Sequence, residues 1–196
     1  RLDMDAPRPL KLRALALYLR GLGDGDVERR KLVSLESLLA APRGERASVG
    51  ARLFESEGGR IHLVEDFGPF ALSIPGPGRY ALPDGSQLWV RLLPKPKELR
   101  GQANRRLFSA ETLSFPLLAR SRQNADRVEP FGLEGSKLLS DVLVDAKLPR
   151  WRRDRLAVVE KDGCILFVPP AVRSKHHPVL ESDENAIEIE YQAADE

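Results

Sequence analysis

The chain has 196 residues, 42% apolar and 31% charged, a balance that excludes a disordered polymer and suits one large domain or two small ones. No apolar stretch approaches a membrane span, no signal-peptide pattern is visible, and a single cysteine, Cys164, excludes an internal disulfide. The net charge of +2 conceals 14 basic against 8 acidic side chains in residues 95–155, and seven acidic side chains without Lys or Arg in residues 181–196.

In chain order, Pro9 suits a first helical turn, and Leu12, Leu15, Ala16, Leu19 and Leu22 form one apolar stripe. Gly21 and Gly23 end that helix. A second helix, capped by Asp24 or Asp26, carries Leu32, Leu35, Leu38 and Leu39 until Pro42 and Gly44 stop it. Arg29, Arg30 and Lys31 lie off its leucine face, as a solvated charged face would. Residues 47–57 and 60–65 then flank Gly58-Gly59 as the two strands of a hairpin. Gly68-Pro69 and Pro75-Gly76-Pro77-Gly78 place a boundary near residue 67. Beyond it, Gly78–Leu82 and Gln87–Leu93 read as strands joined by a Pro83-Asp84-Gly85 turn. Pro94 to Arg106 reads as a connector and Leu113–Ala119 as a strand. Leu138–Val144 is predicted as a short helix with Lys137 at its start, and Pro149 opens another helix carrying Trp151. Cys164–Val168 is predicted as a buried strand, its thiol structural, and Ala186–Tyr191 as a last edge strand. The acidic end is expected to be solvated.

Catalytic signatures are missing from these residues. No phosphate loop runs from a strand into a helix with Lys and Ser/Thr, and no serine stands in a Gly-x-Ser-x-Gly context. Asp24, Asp26 and Glu28 lack the rest of a calcium loop, and His62, Cys164, His176 and His177 lack metal-site spacing. Asp141 and Asp145, four apart on one helix face, are the one acid/base pair that an independent small enzyme could use. Neither a catalytic, a cofactor nor a metal residue is assigned.

The residues richest in signal run from Arg120 to Arg155. Arg120, Arg122 and Arg127 flank a turn, Lys137 stands at the predicted helix start, and Lys147, Arg150, Arg152, Arg153 and Arg155 cluster around Pro149. Arginine and lysine with exposed backbone N–H groups are what phosphate recognition requires. Arg127 and Arg155 are equally readable as ion-pair partners of Asp126, Asp141 or Asp154, whereas Arg152 and Arg153 beside Trp151 read as free.

This stretch resembles the C-terminal domain of bacterial tRNA(Ile)-lysidine synthase. The matching residues are Arg120, Arg122, Asp126 and Arg127, then Pro130 and Gly132, then Gly135, Lys137, Leu138 and Asp141. Asp145, Lys147, Pro149 and Arg155 follow, with the apolar strand Ile165–Val168 after them. Residues 10–65 are similar to the family's central helical region, and 75–95 to its linking strands in outline. Ala125 stands where the family usually has glycine, Leu138 replaces a second lysine, and Pro169-Pro170 follow the strand where a glycine is common.

The resemblance implies an α+β protein: a small helical domain with a β-hairpin, then a mixed α/β C-terminal domain with a compact sheet. The expected division is a helical tRNA-substrate-binding region over 1–67, linking strands and connector over 68–106, a C-terminal tRNA-binding domain over 107–191, and an acidic tail over 192–196. It further implies a role in tRNA modification, in which lysine is ligated to the wobble cytidine of the CAU anticodon of isoleucine tRNA. That chemistry, with ATP and Mg, belongs to an ATP pyrophosphatase-type domain whose Ser-Gly-Gly-x-Asp-Ser loop these residues do not contain. The chain is therefore expected to position tRNA through the nine cations named above and to be inactive alone. Its partners would be isoleucine tRNA, the catalytic domain in cis or in trans, and a second copy as a homodimer, in the cytoplasm and away from membranes. A relative retaining the fold as a protein-interaction module is the alternative.

Overall fold

Leucines at helical spacing build the first part of the molecule. α1 (Arg8–Gly21) and α2 (Arg29–Ala40) bury Leu15, Leu19, Leu35, Leu38 and Leu39 against Val49 and Phe54 of a three-stranded meander. Its strands are β1 (Arg46–Val49), β2 (Arg52–Ser56) and β3 (Ile61–Val64), each antiparallel to the next. The computed structural model describes residues 6–97, 99 and 102–194. These divide into a first unit reaching Asp66 and including Pro149–Trp151, and a second of Phe67–Leu148 with Arg152 onward.

Two local readings of the first unit are corrected. The 47–57 strand is two strands, because Gly50, with φ of 64°, lets the chain turn between Val49 and Arg52. Neither Asp24 nor Asp26 caps α2: the capping position is Glu28, which makes no side-chain cap bond, and Asp24 instead accepts from Lys31 at 3.4 Å. The Gly58-Gly59 turn is as expected; both residues have positive φ and Glu57 N donates to Arg60 O at 2.8 Å.

The second unit has three layers, and the α+β class read from the sequence is observed. One layer is a four-stranded sheet of β5 (Gly78–Ala81), β6 (Gln87–Pro94), β7 (Arg105–Ser109) and β14 (Asn185–Gln192), ordered β5-β6-β14-β7. The middle layer comprises β4 (Ala71–Ile74), β8 (Leu117–Ser121), β11 (Ala157–Lys161), β12 (Cys164–Val168) and β13 (Val172–Arg173), ordered β13-β12-β11-β8-β4. Leu88, Val90, Phe108, Ile187 and Ile189 from the first sheet interleave with Ile74, Leu117, Ala119, Val159 and Phe167 from the second. The opposite face of the middle sheet, through Val158, Ile165 and Val168, packs on Leu139 and Leu143 of α3 (Leu139–Asp145). Alternate residues of β11 thus serve two cores, which is why it reads as a continuous apolar run. A ribbon of β9 (Arg127–Val128) and β10 (Lys137–Leu138) precedes α3, and α4 (Arg150–Arg153) follows it.

Several expectations fail in this unit. β14 is interior rather than an edge strand, paired with β6 and with β7. Its acidic residues looked solvent-facing, but Glu188 is only 3% exposed and is held by Arg91 at 2.5 Å and Arg105 at 2.7 Å. Residues 185–192 of the acidic end are therefore sheet, and Asp183 before them is buried as well. Cys164 is exposed, because it opens β12 beside the Asp162-Gly163 turn instead of lying within the apolar run. The connector ends earlier than expected, since Arg105 and Arg106 already pair in β7. The strand placed at 113–119 begins only at Leu117, after the Phe115–Pro116 cis bond, and Lys137 lies on β10 rather than on the helix.

Candidate nucleic-acid interface

The turn that carries the basic segment is built around Asp126. Its carboxylate accepts from both terminal nitrogens of Arg120, at 2.8 and 3.0 Å, and from the backbone N–H of Gln123 at 2.7 Å. Arg120 Nε donates to Glu160 across the sheet at 2.8 Å. Its hydrogen bonds to Asp126 push the guanidinium above its ordinary value, burial opposes this, and Glu160 adds to the rise. Arg120 is 11% exposed. Paired at both edges and little exposed, it holds the fold.

Arg122 is likewise committed, 3.6 Å from Asp154. The pairings weighed for Arg127 are therefore not the observed ones: Asp126 holds Arg120, and Asp154 lies beside Arg122. Arg127 bonds instead to Ser136, through Nε to the hydroxyl at 3.1 Å and through a terminal nitrogen to the carbonyl at 3.0 Å. Arg155 is half-buried with its guanidinium 4.8 Å from the Phe67 ring. Arg153, read as free, is half-buried too.

Exposed cations remain at Arg127, Lys137, Lys147, Arg150 and Arg152. Arg127 and Lys137 occupy opposite strands of one ribbon, in neighbouring rungs. The backbone N–H of Leu139 donates to Asp126 O at 2.8 Å, so the ribbon and the start of α3 are tied to the same turn. Lys147 follows α3 in a left-handed conformation, with φ of 54°. Ala125 has no positive φ, so glycine is not required there, and Leu138 is partly exposed. Trp151 is no free stacking surface: within the first unit it stacks on His62 at 4.3 Å and donates Nε1–H to Glu57 at 3.3 Å. Asp141 and Asp145 are both exposed on α3. Among the described residues no cluster of three or more His, Cys, Asp or Glu is placed to hold a metal ion, and no helix is long and apolar enough to cross a membrane.

Two further cations escaped the sequence reading. Arg106 on β7 and Arg173 on β13 have no acidic partner among the described residues. Burial lowers both guanidiniums, and Arg106's charge lowers Arg173 further. They stand far apart in sequence, so only the packing of the two sheets brings them together.

The family described as the TilS substrate C-terminal domain matches residues 117–190. The tRNA(Ile)-lysidine synthase of Symbiobacterium thermophilum is 32% identical over 145 residues, covering 70% of this chain and 29% of that protein. That of Geobacillus kaustophilus is 28% identical over 202 residues, covering 97% and 43%. A bifunctional TilS/HprT protein of Listeria monocytogenes is 43% identical over 74 residues, 37% of this chain and 11% of that one. This chain thus spans less than half the length of each of these relatives. A crystal structure of the TilS C-terminal domain superposes with a TM-score of 0.60 at 28% identity, covering 66% of this chain and all of that one.

Proposed function

We propose, from the match of residues 117–190 to the TilS substrate C-terminal domain family, that the chain is the tRNA-holding part of a tRNA(Ile)-lysidine synthase. The observation that carries this reading is the set of exposed cations Arg127, Lys137, Lys147, Arg150 and Arg152 within residues 117–190. Their work is recognition: lysine and arginine neutralise phosphate and fix the register of a folded RNA, so that its anticodon reaches chemistry performed elsewhere. The substrate is isoleucine tRNA with a CAU anticodon, whose wobble cytidine receives lysine in a cytoplasmic, ATP-dependent step. ATP and Mg would be held by a catalytic domain; no phosphate loop of the required kind stands on these residues, so no step through ATP is assigned to them.

The test is the affinity of the chain for isoleucine tRNA with a CAU anticodon, against methionine tRNA with the same anticodon, at low and near-physiological salt. Salt-dependent binding is expected. A preference for the isoleucine tRNA would show that identity is read by this part of the enzyme, and equal binding would assign identity to the rest of it. No binding at low salt would overturn the reading.

A further inference from the structure

The cavity that holds Arg106 and Arg173 measures about 490 Å³, within the ~300–1,000 Å³ range of small-ligand pockets. Among the described residues its walls are otherwise apolar: Pro130, Phe131, Val172 and Val179 are among them. It lies wholly in the second unit. Among the described residues Arg106 donates only to the neighbouring Arg105 carbonyl, at 3.0 Å, and Arg173 only to Leu107 O, at 2.9 Å. Arg173 Nε is buried with no hydrogen-bond acceptor.

Such an arrangement is unfavourable on its own. Two like charges face the same partly dry space, and a buried N–H is left unsatisfied. An entering anion would offset the repulsion, giving both guanidiniums a partner. The rim supplies a second chemistry. Phe131 is 59% exposed, and its backbone N–H donates to Arg173 O at 2.9 Å, which fixes the residue beside that arginine. The guanidinium of Arg173 lies 4.8 Å from the centre of the ring. An aromatic surface next to paired guanidiniums matches a planar base joined to a phosphate.

We propose that this pocket binds one unpaired nucleotide of an RNA, its phosphate between Arg106 and Arg173 and its base against Phe131. The RNA part of this assignment rests on the tRNA reading above. A nucleotide within a duplex does not fit, because its base is stacked and paired while only its phosphate is on the outside.

The experiment titrates the chain with a 5′-phosphorylated single-stranded RNA tetranucleotide, a blunt RNA duplex and inorganic phosphate, and repeats this with Arg106→Gln and Phe131→Ala. Thermal unfolding checks that each variant is folded. Both variants are expected to weaken tetranucleotide binding by at least about fivefold and to leave duplex binding unchanged. Unchanged tetranucleotide affinity in both variants overturns the site. Inorganic phosphate binding as tightly as the tetranucleotide, undisturbed by Phe131→Ala, overturns the base contact and leaves a simple anion hole. Failure of the two readings is separable: tRNA binding without tetranucleotide binding defeats the pocket alone. Tetranucleotide binding through these residues without tRNA binding defeats the tRNA reading and upholds the pocket.

Discussion

Arg120 and Lys147 were drawn from the same basic stretch, yet they stand in opposite circumstances. Arg120 bridges Asp126 and Glu160 inside the second unit, so Arg120→Ala would strand two carboxylates and is expected to cost about 3–5 kcal/mol. Arg152→Ala, at an exposed position, should shift stability by no more than about 0.5 kcal/mol. Urea unfolding of the two variants separates the structural cation from the one available to a ligand. Lys147 pairs an exposed charge with a left-handed backbone that disfavours any side chain by about 1–2 kcal/mol. Lys147→Gly should therefore keep or raise stability while reducing the salt slope of tRNA binding by about one. A third residue-scale effect concerns acid. Burial, and then the charge of His176, hold the His177 imidazole below its ordinary value. The unfolded chain then takes up this proton first as pH falls below about 6.5, so the contribution is complete above that pH and is lost as pH drops through the folded-state value. His177→Asn should flatten that part of the stability curve; asparagine tolerates the φ of 50° at this position.

At the scale of elements, legibility followed periodicity. The two leucine-rich helices, the Gly-Gly turn and the β5–β6 hairpin could be read because each is specified within a short window. β14 could not be placed, because a strand with alternating glutamates looks half-solvated unless the arginines on its neighbours are known. Those neighbours, Arg91 and Arg105, lie far from Glu188 in sequence. Its interior position changes what truncation would do. Removing residues 185–192 is expected to abolish cooperative unfolding of the second unit. Ile189→Ala, at a fully buried position of the same strand, should cost about 2–5 kcal/mol. The same limit applies to the cations. Sequence reveals that arginines are abundant, but whether one is free depends on acidic residues brought in by other strands, as Glu160 is to Arg120.

For the molecule as a whole, the charge asymmetry read from composition is partly internal. Glu188 and Glu190 serve arginines of the sheet, and Glu129 serves Lys175 at 2.5 Å, so formal counts by segment misstate the outward field. Four of the exposed cations, Arg127, Lys137, Lys147 and Arg152 of the second unit, are the better measure. Replacing all four should reduce the slope of log affinity against log salt by about three to four, and filter-binding at several salt concentrations would register it. A slope that stays the same would place the RNA on another face.

The position of β14 also sets a timetable for folding. It lies between β6 and β7 in the sheet but follows both in the chain, some hundred residues after β6. As the polypeptide leaves the ribosome, β6 and β7 must wait, with the edges they present to β14 unpaired, until β14 emerges between them. So long a wait for a non-local pairing makes this sheet slow to close and the nascent chain prone to self-association. A translation arrest before residue 185 would release a product that aggregates even though most of its core residues have already been made.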